Sequence, residues 1–156
     1  MQRRTFILFS LLSSYSLTFA KENESELEVL KVIFDHIFPT TKKYNGAKKF
    51  GAFEYLIINS KHKSFDKSDM RFILDGMKEV LKLDANFIKS SKMKKEKTLR
   101  KFEQTRFGEN VLSTLMYYGF EAMLSDPIYG GNKNMSGWKN IKHTPPTPMA
   151  RRKYGK

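Results

Sequence analysis

No part of this 156-residue chain alternates apolar and polar side chains over the length of a strand; its apolar residues recur at helical spacing instead. A strand turns successive side chains to opposite faces, whereas a helix gathers positions three and four apart onto one face, so spacing discriminates between them. Leu27, Leu30, Phe34 and Ile37 form one such stripe, widened by Ile33 and Phe38. Glu22, Glu24, Glu26 and Glu28 put negative charge at its start, where the helix dipole favours it; Ser25 is a candidate cap and Pro39 ends it. After a polar connector at 40–46, Phe50, Phe53, Leu56 and Ile57 predict a second, shorter helix. Asp66 or Ser68 starts a third, with Phe72, Ile73, Met77, Val80 and Leu81 on one face. The basic stretch after Phe87 reads equally as a loop or a solvated helix, since Leu99, Phe102 and Phe107 give it only a weak apolar edge. Residues 109–124 carry the strongest late pattern, with Leu112, Leu115, Met116, Gly119, Phe120 and Met123 on a face where Gly119 admits a close neighbour. These patterns predict an all-α fold: a small helical bundle with a structured C-terminal loop and an extended basic tail.

The N-terminus has a different character. Arg3-Arg4 precedes an uncharged run from Thr5 to Ala20, sixteen residues long and closing on Thr18-Phe19-Ala20. A membrane-spanning helix needs about 20 apolar residues, so a positive start, an apolar middle and a small-residue end describe an export signal instead. Arg3 and Arg4 followed by Phe6 resemble the twin-arginine type, which moves folded proteins. An ordinary secretory signal and a retained anchor are the other readings. The expected organisation is a twin-arginine-type signal at 1–20, a helical domain at 21–141 and a Pro-rich basic tail at 142–156. A periplasmic location follows from that signal.

Removal of residues 1–20 takes away two arginines and no acid, lowering the net charge from +13 to +11. The remaining 136 residues suit one domain with its own core. Cysteine is absent, which excludes disulfides, lipid attachment to cysteine, c-type haem and thiolate clusters. Seven cations face the single Glu96 across 89–101, and seven more follow Asp126 with no acid among them. Such clusters can neutralise phosphates. An exported chain meets little nucleic acid, however, and no nucleic-acid partner is expected. A solvated face, or a surface for a partner or for anionic lipid, are the readings that stand. The tail segment from His143 to Pro148 has the same two-sided reading: terminal disorder, or an arm that orders on a larger subunit.

Chemistry-bearing patterns are sparse. His36, His62 and His143 are dispersed without ligand spacing, and no metal site is expected. His36 beside Asp35 reads as a satisfied structural residue. The Gly46–Gly51 interval has the gap of a phosphate loop but lacks the Lys and Ser/Thr that must follow it, and no Gly-x-Gly-x-x-Gly occurs. No active site is visible in the sequence.

The most specified segment is Asp126-Pro127-Ile128-Tyr129-Gly130-Gly131-Asn132, followed by Trp138, the only tryptophan. Asp before Pro starts a turn, and paired glycines open backbone conformations closed to other residues. With Met135, Gly137 and Trp138-Lys139 it resembles the signature of the gluconate 2-dehydrogenase subunit 3 family, and Ile37-Phe38-Pro39 fits that family's pattern near the first helix. Beyond Lys139 this chain departs, continuing Asn140-Ile141-Lys142-His143-Thr144-Pro145-Pro146. The resemblance implies a small, or gamma, subunit without a cofactor of its own. Its implied partners are a large FAD-dependent oxidoreductase of the glucose–methanol–choline type, a multihaem cytochrome c carrying haem c, and the twin-arginine translocase. It implies that Asp126, Pro127, Ile128, Tyr129, Gly130, Gly131, Asn132 and Trp138 contact the flavoprotein. Turn closure, with Trp138 folded back on the preceding helix, is the structural alternative. Two other functions remain open on the residues alone: a free-standing periplasmic basic binding or chaperone module, and an enzyme whose site is not visible.

Overall fold

Side-chain caps decide where several helices of this chain begin. Asp66 accepts a hydrogen bond from the Ser68 amide, Ser91 from Lys94 and Thr105 from Gly108, each satisfying an amide that a helix start leaves without a partner. The computed structural model describes residues 24–145. Among them lie seven α-helices and no strand: α1 Glu24–Ile37, α2 Ala47–Phe50, α3 Ala52–Asn59, α4 Lys67–Leu83, α5 Lys92–Glu103, α6 Arg106–Leu124 and α7 Ser136–Asn140. Single 3₁₀ turns occur at Phe87–Lys89, Pro127–Tyr129 and Lys133–Met135. The all-α bundle expected from spacing is the fold observed.

The core lies between α1, α4 and α6, with α2, α3 and α5 closing its sides. Val29, Leu30, Ile33 and Phe34 of α1 meet Ile73, Leu74, Met77 and Val80 of α4, and Val111, Leu115 and Ala122 of α6. Each large apolar side chain so buried contributes about 1.5–3 kcal/mol. Helices α4 and α6 approach closely at Gly76, where a Cβ would press into the Val111 side chain.

Three details differ from the pattern-based expectation, and a fourth, the conformation of the basic stretch, decides between the two readings left open for it. Ser25 sits inside α1 and its hydroxyl donates to Glu26 at 2.8 Å, so it is not a cap. The second helix is broken in two at Gly51, whose left-handed φ of 80° ends α2 and begins α3. The basic stretch is helical as α5: Thr98, Leu99 and Phe102 are buried, while the lysines stay in solvent. The buried face of α6 is Gly108, Val111, Leu115, Tyr118, Gly119 and Ala122, rotated from the expected one. Met116 and Phe120 are left outside. Apolar residues run around much of α6, so spacing alone could not choose the inward side.

His36 is a satisfied structural residue, as its sequence context indicated. Its Nε2 pairs with Glu96 of α5 at 2.7 Å. The hydrogen bond to His36 and the charge of Arg100 hold the Glu96 carboxyl below the usual range. Asp84 joins the start of α5 to the turn before it, accepting from Ser90 Oγ at 2.7 Å and Lys94 Nζ at 3.0 Å. Those two bonds keep its carboxyl low as well.

Candidate functional site

Helix α6 ends at Leu124, and the chain then makes two tight turns before α7. Asp126 Oδ1 accepts from the Ile128 amide at 2.9 Å, and Pro127 supplies the fixed φ that begins the first turn. Gly130 closes it with φ 92°, a left-handed value that a side chain would strain. Gly131 passes directly against the Ala122 carbonyl and the Tyr55 ring, with no room for a Cβ.

Asn132 organises the second turn and the start of α7. It is fully buried in the left-handed region at φ 44°, ψ 40°, and its own amide donates to the Ala122 carbonyl at 2.6 Å. Its Nδ2 donates to the Ser125 carbonyl at 2.9 Å. Its Oδ1 accepts from the Gly137 and Trp138 amides at 2.9 and 3.3 Å. Those amides belong to the first turn of α7, which its own cap residue, Met135, leaves without a side-chain acceptor. A residue outside the helix therefore does the capping.

Trp138 is buried, with 5% of its surface exposed, and its Nε1 donates to the Leu124 carbonyl at 2.7 Å. Its own carbonyl accepts from the His143 amide at 2.9 Å, and the His143 ring lies 5.0 Å away, edge on. Gly137 lies against the Met123 backbone too closely for any side chain. The far end of α7 is tied to the loop before α2: the Asn45 amide donates to Asn140 Oδ1 at 3.0 Å, and Asn140 Nδ2 donates to the Asn45 carbonyl at 3.1 Å. Asn45 Nδ2 adds a bond to the Ser136 carbonyl at 3.2 Å. Lys133 pairs with Glu54 at 3.0 Å, and Asn59 Nδ2 donates to the Tyr129 carbonyl at 3.0 Å.

The eight residues singled out after Leu124 thus fall in one connected region, in two environments. Gly131, Asn132 and Trp138 face inward and hold the loop and α7 to α6. Asp126, Pro127, Ile128 and Gly130 are partly exposed, and Tyr129 is exposed. Arg3, Arg4 and Phe6 lie outside the described residues, as does the tail from residue 146. Asn45, Asn140 and the role of Phe38 escaped sequence reasoning. The one available signal was Gly119, whose missing side chain makes room for the Phe38 ring.

Two concavities flank the exposed side of α6. A cleft of about 400 Å³ is lined by Tyr55, Asn59, Glu121, Ser125 and Tyr129. There the Tyr55 hydroxyl donates to Glu121 at 3.3 Å. Burial and the Glu121 carboxylate push this phenol well above its ordinary pKa, so it serves as a donor and not as a base. A groove of about 480 Å³ opens on the other side, floored by Phe38, Phe50 and Met123. Among the described residues, no three His, Asp, Glu or Cys residues stand close enough to hold a metal ion. No described helix is long and apolar enough to cross a membrane.

Fold and loop together define a small all-helical domain sewn shut at its C-terminal end by a buried asparagine and tryptophan. Residues 24–145 match the gluconate 2-dehydrogenase subunit 3 family, and the chain belongs to that family, a family of subunits of a dehydrogenase complex. Neither the curated proteins nor the solved structures compared with it contain a match.

Proposed function

We propose that this chain is the non-catalytic small subunit of a periplasmic, membrane-associated, FAD-dependent dehydrogenase of the gluconate 2-dehydrogenase type. It stabilises the large glucose–methanol–choline-type flavoprotein and carries it through the twin-arginine route. Substrate oxidation and FAD belong to that partner, and haem c to an associated cytochrome that takes the electrons.

The observation that carries this reading is the family match, which spans the whole described domain from α1 through the loop and α7. The Arg3-Arg4-Thr5-Phe6 start supports the export route, since that route passes folded complexes. A cysteine-free helical chain suits it, having no disulfide to form after export.

Co-purification tests the reading. The full chain, tagged at its C-terminus, should bring down a stoichiometric protein with a flavin absorbance spectrum from the membrane and periplasmic fractions. Changing Arg3 and Arg4 to lysine should then hold both proteins in the cytoplasm. A chain that elutes alone, colourless, folded and monodisperse would refute the subunit assignment in favour of a free-standing binding module.

A further inference from the structure

The exposed side of the C-terminal half of α6 is apolar where a solvent-facing helix should be polar. Met116 and Phe120 point outward beside Tyr44 from the loop before α2 and Ile141 from the end of α7, and all four keep between 44 and 53% of their surface exposed. They form the lip of the groove whose floor is Phe38 and Phe50. Large contiguous apolar surface on a small soluble domain marks an interaction site more often than chance exposure.

The charge around the groove has one sign. No Asp or Glu lines it. Lys42 and Lys43 lie between the lining residues Thr41 and Tyr44, and Lys139 and Lys142 bracket Asn140 and Ile141. All four lysines are exposed, and none takes part in an ion pair within the described domain. Elsewhere among the described residues six of eighteen Lys and Arg are ion-paired, Lys31, Lys78, Lys82, Lys94, Arg100 and Lys133, so the groove lysines are set apart by the acid-free lining beside them. With no acid in the lining, these four exposed lysines, of which Lys43 also lies 5.3 Å over the Tyr44 ring, are complementary to acid on whatever covers the groove.

Shape decides between the two occupants that an apolar centre and a basic rim admit. An anionic bilayer meets a convex, protruding apolar surface, and a flat lipid face would leave the aromatic floor of a concave groove unfilled. A protruding apolar side chain on a protein fills it, and a desolvated pocket of that kind holds the anchor residues of interfaces. We infer that the groove between α6, α7 and the loop before α2 is the docking site for an apolar, acid-flanked protrusion of the dehydrogenase's large flavoprotein subunit. This rests on the small-subunit reading above and assigns to it a surface other than the loop 126–132. The buried part of that loop then holds α7, which carries the groove's far wall, Asn140 and Ile141.

The test uses the full chain co-expressed with the flavoprotein, the partner being recognised by its flavin spectrum and sequence. Phe120→Glu and Ile141→Glu put charge on the lip, Lys139→Glu with Lys142→Glu reverses the rim, and Met93→Glu alters an exposed apolar residue of α5 outside the groove. Circular dichroism of each isolated variant establishes that it folds. The two lip variants should bind the flavoprotein about 30-fold more weakly or worse, as loss of an interface anchor does. The rim double variant should bind more weakly, with less dependence on salt, and Met93→Glu should bind like the parent. If the parent retains the flavoprotein and the folded lip and rim variants do so equally well, the groove is not the docking site although the subunit reading survives. If the parent itself retains no flavoprotein, the subunit reading falls and this inference with it. Should the lip variants keep the flavoprotein but lose sedimentation with phosphatidylethanolamine–phosphatidylglycerol vesicles, or lose a concentration-dependent dimer, then lipid or a second copy is the occupant and the inference is overturned.

Discussion

Replacing Asn132 with alanine probes the C-terminal loop most directly. The substitution removes one acceptor shared by two buried amides, Gly137 and Trp138, and one donor to the Ser125 carbonyl. A buried polar group deprived of its partner costs about 1–3 kcal/mol, and the two amides shared one oxygen, so roughly 2–4 kcal/mol is at stake there. Alanine must also hold the left-handed backbone at φ 44°, which adds about 1 kcal/mol or more. The expected loss is therefore about 3–5 kcal/mol, a fall in Tm of roughly 10–20 °C for a domain of this size. Asn132→Gly loses the same hydrogen bonds without the backbone strain, and should be less destabilised by about 1 kcal/mol. Urea unfolding followed at once by far-ultraviolet circular dichroism and by the fluorescence of Trp138, the lone tryptophan, measures both variants. It also shows whether α7 comes loose before the bundle does. An alanine variant within about 1 kcal/mol of the parent, or one as stable as the glycine variant, would refute the capping role and the strain argument respectively.

Two further predictions concern the bundle itself. In an ordinary exposed helix Gly→Ala gains about 1 kcal/mol, but Gly119→Ala sets a methyl group against the Phe38 ring. It should therefore lower the urea midpoint by the equivalent of about 1–2 kcal/mol net; a more stable variant would show that the contact is slack. Tyr118 is buried and donates to Asp69 at 2.6 Å, and burial followed by that carboxylate pushes its pKa up. Because the folded value lies above the unfolded one, its contribution is fully present below about pH 10 and fades as pH rises past it. Tyr118→Phe should flatten the alkaline decline in stability above about pH 10, and an unchanged slope would remove Tyr118 from its causes.

Helices with a clean two-sided pattern were legible in the sequence. α1 and α4 carry apolar residues on one face and charge on the other, so their existence and most of their inward faces could be read, while the choice of Asp66 over Ser68 as cap and the burial of Val29, Met70 and Leu74 could not. α5 could not: its buried edge is Thr98, Leu99 and Phe102, about one turn's worth, and packing against α4 and α6 decides its conformation. α6 failed differently, because apolar residues surround it and only its neighbours select Val111, Leu115 and Ala122 for the core. In the loop the residue types were legible and their targets were not. Asp126 before Pro127 announced a turn, and Gly130 an unusual backbone, but nothing near Asn132 in sequence said that its oxygen would cap a helix beginning four residues later.

The placement of Asn132 and Trp138 changes what the signature residues can mean for a partner. α7 has five residues, too few to persist alone, and it survives because Asn132 satisfies its first amides while Trp138 is pinned to the Leu124 carbonyl. A residue with nothing left exposed cannot itself be an interface anchor, so Asn132 can affect a partner only through the position of α7. Phe120 and Ile141 have the opposite character, lying outside the buried core and about half open to solvent, although the Phe120 ring also meets Phe38 edge-on. Folding and partner binding should accordingly separate between the two sets. Asn132→Ala would lose the partner in proportion to its loss of α7, whereas Phe120→Glu would lose it with the fold intact. A loop that contacts the flavoprotein directly would instead make folded variants of Tyr129, its exposed member, as damaging as those at Phe120.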